Sequence, residues 1–207
     1  MPQTRNDFRV LAFLTIASLA GACKSVPVHS ATGFTFDGFK LGDMYQSKVM
    51  SREPYNAPCD NDPIDKRSRR FMVYGALPCR DRTFPEKTTV MFYLAMNPEG
   101  TPKYEQPIVA FAWLGGSYFK SRSNFPLVPG DTPSRATEVF GAPIRRFDVG
   151  WKRWRLAVSQ HKNDIYSIAN GENLAGFVVG PMPDDPESEQ WRGLGQMWGR
   201  YTVGRSK

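Results

Sequence analysis

The chain has 207 residues, with 27 Lys+Arg against 20 Asp+Glu and a formal net charge of +7. Hydrophobic residues make up 41% and charged residues 23%, a balance that excludes disordered, collagen-like and coiled-coil chains. The one membrane-like apolar run is short and N-terminal, which excludes a polytopic membrane protein; the positive charge favours anionic partners.

Residues 1–9 are polar and carry Arg5 and Arg9 against Asp7, and residues 10–20 are apolar (VLAFLTIASLA). Ala20-Gly21-Ala22 and Cys23 follow. A basic start, a short apolar stretch and small residues at a cleavage point make a secretory signal over residues 1–22. The stretch is well short of the roughly 20 residues that span a bilayer. Leu19-Ala20-Gly21-Ala22-Cys23 resembles a bacterial lipobox of the relaxed kind, with Ala20 three positions before the cysteine. In a lipobox the cysteine becomes the new N-terminus and carries acyl chains, and two or more chains anchor stably. Ala20-x-Ala22 also fits ordinary signal cleavage. Losing residues 1–22 removes two arginines and one aspartate and lowers the net charge by one.

The chain has 3 Cys. Lipidation of Cys23 leaves Cys59 and Cys79 as a pair. Export places them where a disulfide persists; closing a loop of about 20 residues contributes about 3 kcal/mol in the chain-entropy picture. The bland alternative is two buried free thiols. In the envelope, nucleic acid is not an expected partner; lipid head groups, cell-wall polymers or an acidic protein surface fit the charge better.

Residues 23–35 read as a tether. Gly42-Asp43 opens a helix-like stretch at residues 44–52 (MYQSKVMSR), and strands are predicted near residues 70–77, 88–96 and 107–114. In the second half Thr132 is a capping hydroxyl and Pro133 a first helical residue, so residues 133–140 (PSRATEVF) form a helix that Gly141 ends. Strands follow at residues 154–160, 165–169 and 174–180, the last two joined through Asn170-Gly171. After an acidic, Pro-rich stretch, Trp191, Leu194, Trp198 and Tyr201 share one helical face. That face suits the sheet, a partner or a membrane interface.

The halves resemble each other. Gly42-Asp43 matches Gly130-Asp131, and Ala57-Pro58 matches Ala142-Pro143. Arg69-Arg70-Phe71-x-Val73 matches Arg145-Arg146-Phe147-x-Val149, and Ala110-Phe111 with Gly115 loosely matches Gly176-Phe177 with Gly180. The blocks keep their order, which suggests two copies of one unit. The expected fold class is α+β: two tandem helix-plus-antiparallel-sheet units, residues 36–120 and 121–181, with a C-terminal amphipathic helix in residues 182–207.

Gly130-x-Thr132, eight residues, Gly141-x-Pro143 and then a tryptophan-bearing strand resemble the small outer-membrane assembly lipoproteins of the SmpA/OmlA type. The pattern is also similar to the wider β-lactamase-inhibitor-protein-like fold group, in which such units occur in tandem. The match covers roughly residues 128–180; the first unit lacks the glycine of Gly-x-Pro. The resemblance implies a non-enzymatic, protein-binding module at the envelope.

Catalytic and metal chemistry finds little support. Residues 60–65 (DNDPID) superficially suggest a calcium loop, but the glycine at its sixth position and the glutamate at its twelfth, here Phe71, are missing. The 2 His, His29 and His161, are too few for a zinc site. Ser159, His161 and Asp164 are neighbours in sequence, whereas triad members converge through the fold. Cys79 as a nucleophile would need a free thiol and a nearby histidine. Paired carboxylates of a cell-wall hydrolase are the main enzymatic alternative, and an exported enzyme inhibitor is the alternative among binding roles. No cofactor is implied.

Binding chemistry is richer. Read as one strand, residues 151–156 put Trp154 and Leu156 on the core face with Val158. Trp151, Arg153 and Arg155 then fall on the opposite face. Tryptophan with arginines is hot-spot composition, and Arg145 and Arg146 extend the basic patch. The expected partner is an envelope protein with an acidic surface, met on the periplasmic side with the lipid at the outer membrane setting location.

Overall fold

The computed structural model describes residues 30–49, 51–52, 73–76, 88–95, 106–151 and 154–203. The expected leader, Cys23, Cys59, Cys79, the 60–65 stretch and Arg153 lie outside the described residues.

The protein is a mixed α/β structure, mostly strands, with two sheets and few helices. A short hairpin, β1 (Thr35–Phe36) and β2 (Phe39–Lys40), precedes a helical turn at Tyr45–Val49. Then come β3 (Val73–Ala76), β4 (Thr89–Leu94), β5 (Ile108–Leu114) and helix α1 (Pro133–Phe140). Strands β6 (Arg145–Trp151), β7 (Trp154–His161), β8 (Ile165–Asn170) and β9 (Asn173–Val179) follow, and helix α2 (Glu189–Val203) ends the described chain. The large sheet is antiparallel, in the order β3-β4-β5-β9-β8-β7-β6. Two meanders thus meet at the β5–β9 seam.

Both faces of the sheet's centre are covered, which is why β5 reads as an almost unbroken apolar run. On one face Phe111, Trp113 and Phe177 pack with Phe34, Phe36, Phe119, Phe125 and α1's Ala136 and Phe140. The rings are in direct contact, Phe36 and Phe119 at 4.1 Å and Phe125 and Phe177 at 4.8 Å between centroids. On the other face Ala110, Leu114, Val149, Leu156, Val158 and Tyr166 meet Trp191, Leu194, Met197 and Trp198 of α2. The apolar stripe of α2 therefore docks on the sheet; Trp191 sits 5.2 Å from both Phe147 and Tyr166.

Local chemistry sets the ends of α1. Thr132 accepts the N–H of Arg135 at 3.3 Å, Pro133 opens the helix, and Gly141 ends it at φ +84°. The β5–β9 seam demands two further small residues. A Cβ at Gly176 would run into the Trp113 carbonyl, and one at Gly180 into that of Val109.

A set of hydrogen bonds occurs twice. Ile108 donates its N–H to the Asp43 carbonyl and accepts from Gly42, at 2.9 and 2.8 Å. Leu174 does the same with Asp131 and Gly130, at 2.7 and 2.8 Å. Each glycine has a positive φ, +90° and +102°. The residue after each anchor, Val109 or Ala175, is left out of its strand's register with the outer neighbour.

Several expectations need correction. Ala31 and Phe34, in the segment read as tether, are buried in the core. The β1–β2 hairpin was not predicted; Asp37 and Gly38 both take the positive φ of its tight turn, +48° and +81°. The helix-like stretch at residues 44–52 reduces to the one turn Tyr45–Val49. β6 is a strand of its own, and residues 151–156 are not one strand, because Trp151 pairs directly with Trp154 across a hairpin.

Candidate binding surface

The described members of the basic and aromatic set singled out from the sequence sit on the β6–β7 hairpin, the outer end of the sheet. Cross-strand partners share a face, so the pairing divides them. Trp151 and Trp154 are partners and belong to one face, with Arg145, Phe147 and Val149 of β6 and Leu156 and Val158 of β7. This is the face that α2 covers. Trp151 is therefore not on the face of Arg155, as a single strand would have required. The hairpin reverses the chain between them and resets the alternation.

Arg145 lies on the covered face, stacked 4.9 Å from the Phe147 ring and 3.8 Å from the Asp184 carboxylate. Asp184 is almost wholly exposed, so this pair adds little stability. Arg146 and Arg155 lie on the opposite face, with Asp148, Gly150, Ala157 and Ser159. Helix α1 packs mainly over β8 and reaches this ribbon at its His161 end, where Phe140 lies 5.6 Å from the ring. Arg146, Asp148, Arg155 and Ala157 are consequently exposed. Ile144, just before β6, is 60% exposed, the exposed large apolar side chain among the described residues. Of the five residues expected to contact a partner, the structure brings Arg146 and Arg155 to the open face. It turns Arg145 and the Trp151 position towards the α2 side; Arg153 is outside the described residues.

His161 is not poised as a triad base. Its Nε2 is 3.0 Å from Ser167 Oγ, not bonded to Ser159, and its Nδ1 is 2.9 Å from the Gly141 carbonyl. A carbonyl only accepts, so Nδ1 carries the proton and Ser167 donates to Nε2. The ring is buried, and burial with the nearby Arg146 charge lowers its pKa, against the Gly141 bond, which raises it. Asp164 is exposed in the turn that follows. Sequence reading missed this buried ring, because the alternation of Leu156 and Val158 leaves residue 161 on the opposite face, with Arg155.

A second polar cluster was also missed. The Asp37 carboxylate, in the β1–β2 turn, is 3.5 Å from Arg122 and 4.0 Å from Arg52. Arg52 donates to the Asp37 carbonyl at 2.8 Å and stacks 4.7 Å from Phe39, and Arg122 stacks 4.8 Å from Tyr118. Asp37-Gly38 between aromatic residues was the readable sign. The cluster fastens the hairpin to the loop after β5.

Among the described residues no group of three His, Cys, Asp or Glu is placed to hold a metal ion. No described helix is long and apolar enough to cross a membrane. No known protein-family model, curated protein or solved structure matches the chain.

Proposed function

We propose that the chain is an exported lipoprotein of the bacterial cell envelope. Acyl chains on Cys23 hold it at the outer membrane on the periplasmic side. It works as a non-catalytic accessory or assembly module that binds an envelope protein through an acidic surface. Its body is two copies of one helix-plus-sheet unit, the architecture that the SmpA/OmlA-type resemblance implies. The doubled anchor of Gly42-Asp43 on Ile108 and Gly130-Asp131 on Leu174 supports the duplication. The helical turn at Tyr45–Val49 follows the first anchor, as α1 follows the second.

The observation that carries the binding reading is the uneven cover of the β6–β7 ribbon. Among the described residues helix α2 covers one face, and the other leaves Arg146 and Arg155 exposed. A preformed strand pair lets a partner bind at low ordering cost, and exposed arginines steer an acidic one. Capture of solubilised envelope proteins by the full chain, compared with Arg155→Glu, tests this. Capture is expected to fall about tenfold with the charge reversal and to weaken in high salt. A binder retained equally by both, at both salt concentrations, overturns the acidic-partner reading.

A further inference from the structure

Strand β6 ends the large sheet and has one paired neighbour, β7, among the described residues. An unpaired edge is a template for another strand. Proteins blunt such edges with charge of one sign, which repels every copy of itself. The exposed face of β6 carries Arg146 and Asp148, opposite in sign and two residues apart. Neither is in an ion pair among the described residues.

We infer that β6 pairs with β6 of a second copy, antiparallel and two-fold about Phe147. In that register Arg146 of each copy faces Asp148 of the other, twice over. Backbone geometry agrees. Trp151 and Trp154 close a hairpin with two residues between them, so their groups bond each other and those of the alternate residues, Val149 and Phe147, also point inward. The N–H and C=O groups of Arg146 and Asp148 then point outward, where the same register bonds them to each other across the seam. Side chains agree as well. Exposed Ile144 comes opposite Gly150 of the second copy, a position with no side chain of its own, and lies over it. Other two-fold registers bring Arg146 against Arg146, bring Asp148 against Asp148, or leave both charges unmatched. The inference goes beyond the binding reading and does not rest on it: Arg155, one strand in from the seam, stays available to an acidic partner on each copy.

Light scattering of the full chain in mild detergent, with the detergent mass subtracted, tests the seam. The wild type is expected at twice the chain mass. Asp148→Arg places two like-charged pairs across the seam and is expected to weaken dimerisation by about tenfold or more. The double variant Arg146→Asp with Asp148→Arg exchanges the signs, restores the match and is expected to be dimeric again. All these positions are exposed, and circular dichroism melts check that each variant is folded; Ile144→Asp, outside the strand, is the second probe and is also expected to weaken the dimer. A monomeric wild type, a dimer that survives Asp148→Arg, or a folded double variant that stays monomeric overturns the seam.

Discussion

Asp43 and Asp131 do the same job in the two halves of the chain. Each carboxylate accepts the backbone N–H three residues before it, Lys40 at 3.0 Å and Val128 at 2.8 Å. Each carbonyl accepts an N–H at the start of an inner strand, that of Ile108, the first residue of β5, or of Leu174, the second of β9. The shared Gly-Asp dipeptide is therefore an anchor that fixes where a helical segment leaves the sheet. Charge-assisted bonds to backbone N–H groups are each worth about 1.5–3 kcal/mol. Asp43→Ala and Asp131→Ala are expected to destabilise by similar amounts of that order. Urea unfolding of both variants checks it, and a loss confined to one site would deny that the anchors are equivalent.

His161 joins the end of α1 to β8 through Gly141 and Ser167. Its folded pKa is lowered from 6.5, so the folded form binds the proton less readily than the unfolded chain. Above pH 6.5 the ring is neutral in both states and its contribution is intact. As pH falls below 6.5 the unfolded ring takes up a proton first, and stability declines until the folded pKa is passed. Thermal melts from pH 7.5 to 5 are expected to show this decline in the wild type. His161→Gln keeps a polar side chain without the titration and is expected to lose that part of the slope.

Trp191 is fully buried, packs between Phe147 and Tyr166 and donates to the Pro183 carbonyl at 2.9 Å. Trp191→Ala is expected to cost about 3–5 kcal/mol and to release α2 from β6 and β7. Protease cleavage after Arg192 is expected to be slow in the wild type and fast in the variant. Unchanged cleavage would mean that α2 is held by other contacts.

The close approach at the β5–β9 seam makes Gly176 a sensitive position, because an added Cβ meets the Trp113 backbone and the Leu114 side chain. Backbone gives way less than a side-chain tip does, so Gly176→Ala is expected to destabilise by about 1–3 kcal/mol. Gly193, where an added Cβ meets nothing within 4 Å, serves as the control. Gly193→Ala is expected to be neutral or stabilising. Chemical denaturation of the pair separates seam packing from a general intolerance of alanine.

What the sequence revealed followed the strength of local signals. α1 was legible to the residue because Thr132, Pro133 and Gly141 punctuate it chemically. The α2 stripe was legible because tryptophan and leucine repeat at helical spacing, although which surface received it was not. β6 was legible and overlooked: Phe147, Val149 and Trp151 alternate with Asp148 and Gly150, the period-two pattern of a strand covered on one face, but the two arginines at its start masked the run. The Trp151–Trp154 hairpin was lost because Lys152 and Arg153 carry none of the usual turn residues. That one omission moved Trp151 to the wrong face and made the basic patch look larger than the Arg146 and Arg155 of the open ribbon. The Asn170-Gly171 signal did mark a hairpin, but Asn170 pairs with Asn173 and the two-residue loop is Gly171-Glu172. The β1–β2 hairpin spans two residues a side, too few for periodicity to register.

The address of the protein underlies the whole account, and intact mass tests it most directly. The measurement is made on chain purified from its host's membrane fraction, with and without reductant. The expected result is a chain that begins at Cys23, bears acyl chains and gains a pair of hydrogens on reduction as Cys59 and Cys79 part. An unacylated chain in the soluble fraction, or one that still begins at Met1, would contradict it.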